Sequence, residues 1–208
     1  MSANKITFGL EKVHVAFMLD EETPTWDKPI HIPGAVNFST DPQGGESTFY
    51  ADNTTYFTHT NNDGYTGDLQ MALIPDEVLA EMLGWEIDEN GMLVEIADGE
   101  QKPFALMFEV KGDKKNRRTV LYNCKASRPG KEHATKTDTI DPATETLSLR
   151  ILPINIDEKM IVKGVMELGE NNQAVYNAFF KKVIVPDMIA GGGNGGGNGG
   201  GNGGGGEG

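Results

Sequence analysis

The chain has few of the residues that build most catalytic and metal sites. It holds one cysteine, Cys124, in 208 residues, so no disulfide closes within it and no cysteine pair holds zinc. Its four histidines are His14, His31, His59 and His133. No two have the spacing that places imidazoles on one helix face, so no zinc site is expected. His14 falls on the polar side of an alternating segment and reads as solvated. Basic residues are outnumbered: 18 Lys and Arg face 31 Asp and Glu, a net charge of −13. Nucleic-acid affinity depends on Lys and Arg displacing counterions from phosphate. Tight binding to nucleic acid or to an anionic membrane is therefore not expected, and the charge favours solubility. Apolar runs such as Phe104-Ala105-Leu106-Met107-Phe108 are far too short to span a bilayer. Residues 1–11 include Asn4, Lys5 and Glu11 and do not read as a secretory leader.

Catalytic motifs are missing too. No phosphate-loop Lys-Ser/Thr and no nucleophile elbow occur. Residues 86–91 offer oxygen ligands at the first, third and fifth places of a calcium loop and Gly91 at the sixth. The twelfth place requires a bidentate Glu and holds Ala97, so this is an acidic turn. Asn37-Phe38-Ser39 and Asn53-Thr54-Thr55 match the glycosylation pattern, which carries no weight without a leader. The Gly-rich windows near the C-terminus have no strand before them and no helix after them, so they cradle no phosphate. Carboxylates abound, but a pair of them means little without a cleft. Neither an enzyme nor a cofactor is expected.

Glycine is unevenly placed. Fourteen of the 27 lie in residues 191–208, a Gly/Asn-rich tail expected to be a flexible coil spanning about 23 Å. Residues 1–190 have ordinary glycine content and read as one domain.

Two-residue alternation dominates that domain. Val13, Val15, Phe17 and Leu19 alternate. Short strands are expected at residues 30–32 and 35–39, the latter with Val36 and Phe38 inward. Residues 65–73 place Leu69, Met71 and Leu73 opposite Asp68, Gln70 and Ala72. Residues 92–96 and 104–110 follow. A turn at residues 112–116 leads to a strand at 117–126 with Val120, Tyr122, Cys124 and Ala126 on one face. Residues 144–151 set Leu147, Leu149 and Ile151 against Thr146, Ser148 and Arg150, and 160–168 is another strand.

Two short helices interrupt the strands. Pro75-Asp76-Glu77 opens one, with Val78, Leu79, Met82 and Leu83 apolar and Gly84 as its stop. Residues 172–182 read as the other, with Val175, Ala178 and Phe179 on one face, and Val183-Ile184-Val185 as a terminal strand or arm. About nine hairpin-joined strands with short helices describe a mainly β fold, a β-sandwich or β-barrel.

Two regions suggest contacts. Residues 41–64 form a long arm rich in Asp, Asn, Thr and Gly that carries Phe49, Tyr50, Asp52, Tyr56 and Phe57, with Tyr65 just beyond. Aromatics on a polar arm suggest a contact surface, unless they tuck onto the arm's own base. Eight of the 18 basic residues gather in 111–131, among them Lys114, Lys115, Arg117 and Arg118. They read as a surface for acidic neighbours in an assembly, a solvated hairpin, or a nucleic-acid patch, though no aromatic platform interleaves the turn.

Several segments resemble the major tail tube proteins of long, non-contractile-tailed bacteriophages. They are Ala3-Asn4-Lys5-Ile6-Thr7-Phe8-Gly9-Leu10, Ile32-Pro33-Gly34-Ala35-Val36, Phe49-Tyr50-Ala51-Asp52-Asn53, Gly64-Tyr65-Thr66-Gly67-Asp68-Leu69, Ala72-Leu73-Ile74-Pro75-Asp76, Val120-Leu121-Tyr122-Asn123-Cys124-Lys125-Ala126-Ser127-Arg128-Pro129 and Thr144-Glu145-Thr146-Leu147. The likeness covers residues 3–187, and the Gly/Asn tail departs from it. The resemblance implies a tail-tube β-barrel or sandwich, six-membered rings stacked into a hollow tube, and a place in the virion tail after assembly in the host cytoplasm. It implies self-association, with tail terminator, tape measure and distal tail proteins as further partners and no membrane. Viral double-stranded DNA would pass through the lumen without specific binding. The arm becomes a candidate ring-to-ring contact. Asp68, Gln70, Thr146 and Ser148, opposite apolar faces on regular strands, become candidate lumen positions. The tail is expected outside the tube. The alternatives are the tube of a related injection or secretion system and a capsid-decorating or carbohydrate-binding β module.

Overall fold

The computed structural model describes residues 9–51, 54–113, 115–129 and 144–187. The tail falls outside them. The first half holds β1 (Leu10–Asp20), β2 (Thr25–Trp26), β3 (Ile30–His31), β4 (Ala35–Gln43), β5 (Glu46–Ala51), β6 (Thr54–Thr60), β7 (Gly64–Met71), α1 (Asp76–Leu83), β8 (Glu86–Ile87) and β9 (Leu93–Val94). Then come β10 (Phe104–Val110), β11 (Arg118–Ala126), β12 (Glu145–Ile151), β13 (Ile154–Ile156), β14 (Lys159–Ile161), β15 (Lys163–Met166) and α2 (Gln173–Ala178). The protein is mainly β, with two short helices among the described residues. One antiparallel sheet runs β2-β1-β10-β11-β12-β7-β4, with β15 added to β11 and β3 to β1. Three small hairpins, β5–β6, β8–β9 and β13–β14, stand apart from it.

The sheet curls until β4 lies near β1, and Phe38 of β4 meets Phe108 of β10 edge to face at 5.4 Å. The main core fills the inside of this curl with Val13, Val15, Phe17, Leu69, Met71, Phe104, Leu106, Leu147 and Leu149. Helix α1 lends Val78, Leu79, Met82 and Leu83 to the same core. It stops at Gly84, whose φ of 68° is left-handed and whose N–H returns to the Ala80 carbonyl.

A second core covers the outside of β1, β10 and β11. Ala16, Met18, Ala105, Met107, Val120 and Tyr122 meet Ile154, Ile156 and Ile161 of the β13–β14 hairpin and Phe179 after α2. These three strands are therefore buried on both faces, which corrects the expectation of a one-faced strand at residues 13–19. The sequence Phe104-Ala105-Leu106-Met107 reflects this directly, because a strand covered on both sides has no polar face. At the end of β1, Leu19 is 63% exposed.

Strand β11 corrects the reading of Val120, Tyr122, Cys124 and Ala126 as one face. Val120 and Tyr122 lie in the outer core, whereas Leu121, Cys124 and Ala126 lie in the inner one. Pairing with β10 shifts register between Leu121 and Cys124. The extra residue of a β-bulge sends every later side chain to the opposite face.

The strand expected at residues 160–168 is broken into β14 and β15. Asp157 and Glu158, with φ of 49° and 63°, form the two-residue turn between β13 and β14, and such turns suit the twist of a hairpin. The strand at 92–96 shrinks to β9. Strand β7 ends at Met71, and Leu73 is 68% exposed. The second helix is only six residues long, and its buried residue is Tyr176, while Val175 is exposed. Residues 183–185 form no strand. His14 is half-buried rather than solvated, and its ring stacks on Phe180 at 4.6 Å.

Candidate functional site

The three strands that end the sheet, β12, β7 and β4, keep one face bare. On β12, Leu147, Leu149 and Ile151 are buried and Thr146, Ser148 and Arg150 are exposed. On β7, Leu69 and Met71 are buried, Asp68 is exposed and Gln70 is partly so. Register brings the polar residues together: Thr146 stands opposite Gln70 and Ser148 opposite Asp68. On the other side of β7, Gln70 faces Asn37, Asp68 faces Ser39 and Thr66 faces Asp41.

All four expected lumen positions thus form one contiguous patch. The Ser148 hydroxyl donates to the Asp68 carboxylate at 2.7 Å. Gln70 Nε2 donates to Thr144 Oγ1 at 2.7 Å, and Gln43 Nε2 to Thr66 Oγ1 at 3.0 Å. The patch is mostly hydroxyl and amide. Asp41, Asp68 and Arg150 supply its charge, so the chain's strong acidity is not concentrated there. The alternation in residues 35–43 was the signal that could have placed Asn37, Ser39 and Asp41 on this face.

Strand β4 ends the sheet and offers an edge on which another strand could pair. Beside it lies a groove of about 460 Å³ lined by Leu10, Val36, Phe38, Phe108, Leu121 and Val165, among others. Val36 and Val165 are 48% and 55% exposed.

The expected arm is a hairpin. Strands β4 and β7 continue into it through Asp63 N–H to the Gln43 carbonyl at 3.0 Å and Asn61 N–H to the Gly45 carbonyl at 2.9 Å. In β5–β6, Phe49 stands opposite Phe57 and Tyr50 opposite Thr55, with an irregularity between Phe49 and Tyr50. Tyr56 lies on β6, and Asp52 lies outside the described residues. Tyr65 sits at the hairpin's base, half-buried, with Lys163 Nζ 4.8 Å from its ring centre.

The basic turn is paired within the chain. Lys115 meets Glu167 at 3.0 Å and Arg117 meets Asp113 at 2.6 Å. The hydrogen bond from Arg117 holds the Asp113 carboxyl below its ordinary range. Arg118 pairs with Glu109 at 3.1 Å, lies 3.8 Å from the Tyr176 ring centre and donates to the Tyr176 carbonyl. It ties α2 to the sheet. Lys114 lies outside the described residues.

Among the described residues no group of three or more His, Cys, Asp or Glu could hold a metal ion. No described helix is long and apolar enough to cross a membrane. No family model matches the chain, and no curated protein matches it. Solved structures with a similar course include the tube-terminating cap of the anti-feeding prophage (TM-score 0.47, 9% identity, 81% of this chain and 96% of that one). The sheath–tube complex of an extracellular contractile injection system, in its extended state, gives 0.45 at 10% identity, over 80% and 95% of the two chains. The anti-feeding prophage baseplate gives 0.40 at 12%, over 80% and 98%. Likeness of this degree does not establish a shared fold.

Proposed function

We propose that this chain is a structural subunit that associates with its own copies into six-membered rings, stacked into a hollow tail tube through which DNA passes. The polar β12–β7–β4 face is the observation that carries this reading. An antiparallel sheet with one face in the core leaves the other for water. Copies joined edge to edge through β4 would line a channel with these faces. A lumen of hydroxyls and amides, with few cations, gives DNA phosphates little to grip, so the polymer would slide rather than bind. The resemblance of ordered segments between residues 3 and 187 to bacteriophage tail tube proteins supports the same reading. Its setting would be the virion tail, in contact with terminator, tape measure and distal tail proteins.

Electron microscopy of the concentrated purified protein tests it. Hollow tubes or six-fold rings are expected; compact monomers or trimers at every concentration would reject it in favour of a decorating or carbohydrate-binding module.

The placement of the polar face has its own test. Ser148→Cys puts a thiol on that face, while native Cys124 stays silent, because it is fully buried and burial pushes its thiol pKa up. In the monomer, both a small and a polymer-linked maleimide should label Cys at 148. In tubes the bulky reagent should slow by about tenfold or more and the small one should not, since restricted access acts on size. Equal labelling of monomer and tube by the bulky reagent would place this face outside.

A further inference from the structure

The outer core is closed by the segment after β15, and one aromatic contact of that segment involves a titratable pair. Phe180 follows Phe179, which is buried in the outer core. Its ring stacks on His14 of β1 at 4.6 Å and 26°. His14 in turn lies 4.8 Å, ring to ring, from His31 of β3, and the two are partners in the β1–β3 register. A carbonyl can only accept, so the 2.8 Å contact between His14 Nδ1 and the Lys12 carbonyl fixes Nδ1 as the donor. Nε2 is then the nitrogen left to take a proton.

The surroundings disfavour that proton. From β1 comes Lys12, from β3 His31, and from β11 Arg118, whose guanidinium lies 4.8 Å from the Phe180 ring centre. Glu109 of β10 takes ion pairs from both Lys12 and Arg118. Lys181 and Lys182, next to Phe180, are exposed. A cationic imidazole can gain from an aromatic face, but Arg118 already lies over this ring. Beyond α2, residues 183–187 form no helix or strand; Val183 and Ile184 pack on the outer core, and Tyr122 donates to the Ile184 carbonyl at 2.9 Å.

We propose that His14 is a proton-operated latch: when neutral it holds Phe180 against β1, and when protonated, beside His31 and Lys12, it lets residues 173–187 lift from the outer core. Burial lowers the His14 pKa, and the electrostatic effects of His31 and Lys12 lower it further, against the raising effect of its backbone hydrogen bond. The sign follows. A histidine whose folded pKa lies below its unfolded value of about 6.5 stabilises the folded form above that pH, and the contribution drains away as the pH falls below it.

Hydrogen exchange read by mass spectrometry, corrected for intrinsic rates, tests the latch on the full chain. Between pH 7.5 and 5, protection within residues 173–187 should fall about tenfold while β7 and β12 stay constant. His14→Phe keeps a ring against Phe180 without a titrating nitrogen, and its profile should be flat. Constant protection in the unaltered protein, or the same fall in His14→Phe, overturns the proposal. Should that variant not fold, an NMR titration of His14 in the unaltered protein decides: a midpoint below 6.5 with matching shifts at Phe180 supports the latch, and a midpoint at or above 6.5 overturns it.

Discussion

Replacing Gly64 with alanine lowers the unfolding free energy by about 4 kcal/mol, near the top of what one substitution does. Gly64 opens β7 at the point where the hairpin's root meets the end of β12. Its φ is +97°, and an added Cβ would sit 1.9 Å from the Ile151 carbonyl oxygen and 3.0 Å from its carbon. Backbone strain of this kind costs about 1–3 kcal/mol. The clash adds more, because the obstacle is backbone and cannot swing aside. Relief would require separating β7 from β12 where Tyr65 pairs with Ile151, next to a core side chain that is fully buried. Gly45 is the control: nothing lies within 4 Å of the position its Cβ would take, so Gly45→Ala should change stability by no more than about 0.5 kcal/mol. In urea, a slope near 2 kcal/mol/M turns the Gly64→Ala loss into a midpoint lower by about 2 M. Equal midpoints for the two variants would show that the Gly64 seam does not constrain the fold.

The difference between these two glycines is invisible in the sequence, and the reason is general to this chain. Local patterns carried the elements whose environment is decided locally. Glu145-Thr146-Leu147-Ser148-Leu149-Arg150-Ile151 alternates strictly, and β12 has one wet face and one dry one. The acids at Asp76 and Glu77 and the stop at Gly84 bound α1 as their chemistry requires. The four polar positions on β7 and β12 could be picked out because each lies opposite an apolar neighbour. Their meeting in one patch followed only from the pairing of strands separated by about 80 residues of chain, as Asp68 and Ser148 are.

The readings that failed did so where two or more elements share a decision. Nothing in Val120, Leu121, Tyr122, Asn123 and Cys124 announces a bulge, because it arises from the match with β10. The turn at Asp157-Glu158 lacks the Gly or Asn that usually marks left-handed φ, so the β13–β14 hairpin is not marked in the sequence, and β14 runs together with β15 in the strand expected at residues 160–168. Asp20, Leu19 and Lys12 look like the polar and apolar marks of an ordinary strand, yet β1 is covered outside by the C-terminal segment, over 150 residues later. That covering turns His14 from a surface residue into a ring stacked on Phe180. The basic turn is one feature by composition, while the partners of Lys115, Arg117 and Arg118 at Glu167, Asp113 and Glu109 are set by the fold.

Removing the hairpin should abolish assembly while leaving the subunit folded. Deletion of residues 46–60 joins Gly45 to Asn61, whose backbones already share a hydrogen bond of 2.9 Å. The resulting Gly44-Gly45-Asn61-Asn62 turn has glycine at the first central place, which a type II′ hairpin turn prefers. The β4–β7 ladder below it, from Gln43 and Gly64 downward, is untouched. The core residues described above all stay in place, so the shortened chain should keep its unfolding free energy to within about 1 kcal/mol. Assembly is a different matter. Stacking that depends on the paired aromatic strands, with Phe49 opposite Phe57, loses its contact area in every ring at once. Central aromatic contacts of an interface commonly contribute about 2 kcal/mol or more each, and the loss repeats at six sites per ring in the proposed assembly. The shortened chain should therefore stay monomeric, or at most form single rings, at concentrations where the full chain builds long tubes. Sedimentation velocity with electron microscopy of the same samples separates the outcomes. Isolated rings would show that the hairpin joins ring to ring while β4 joins neighbours within a ring. Tubes of unchanged length would remove the hairpin from the stacking contact and leave that task to surfaces on the sheet itself.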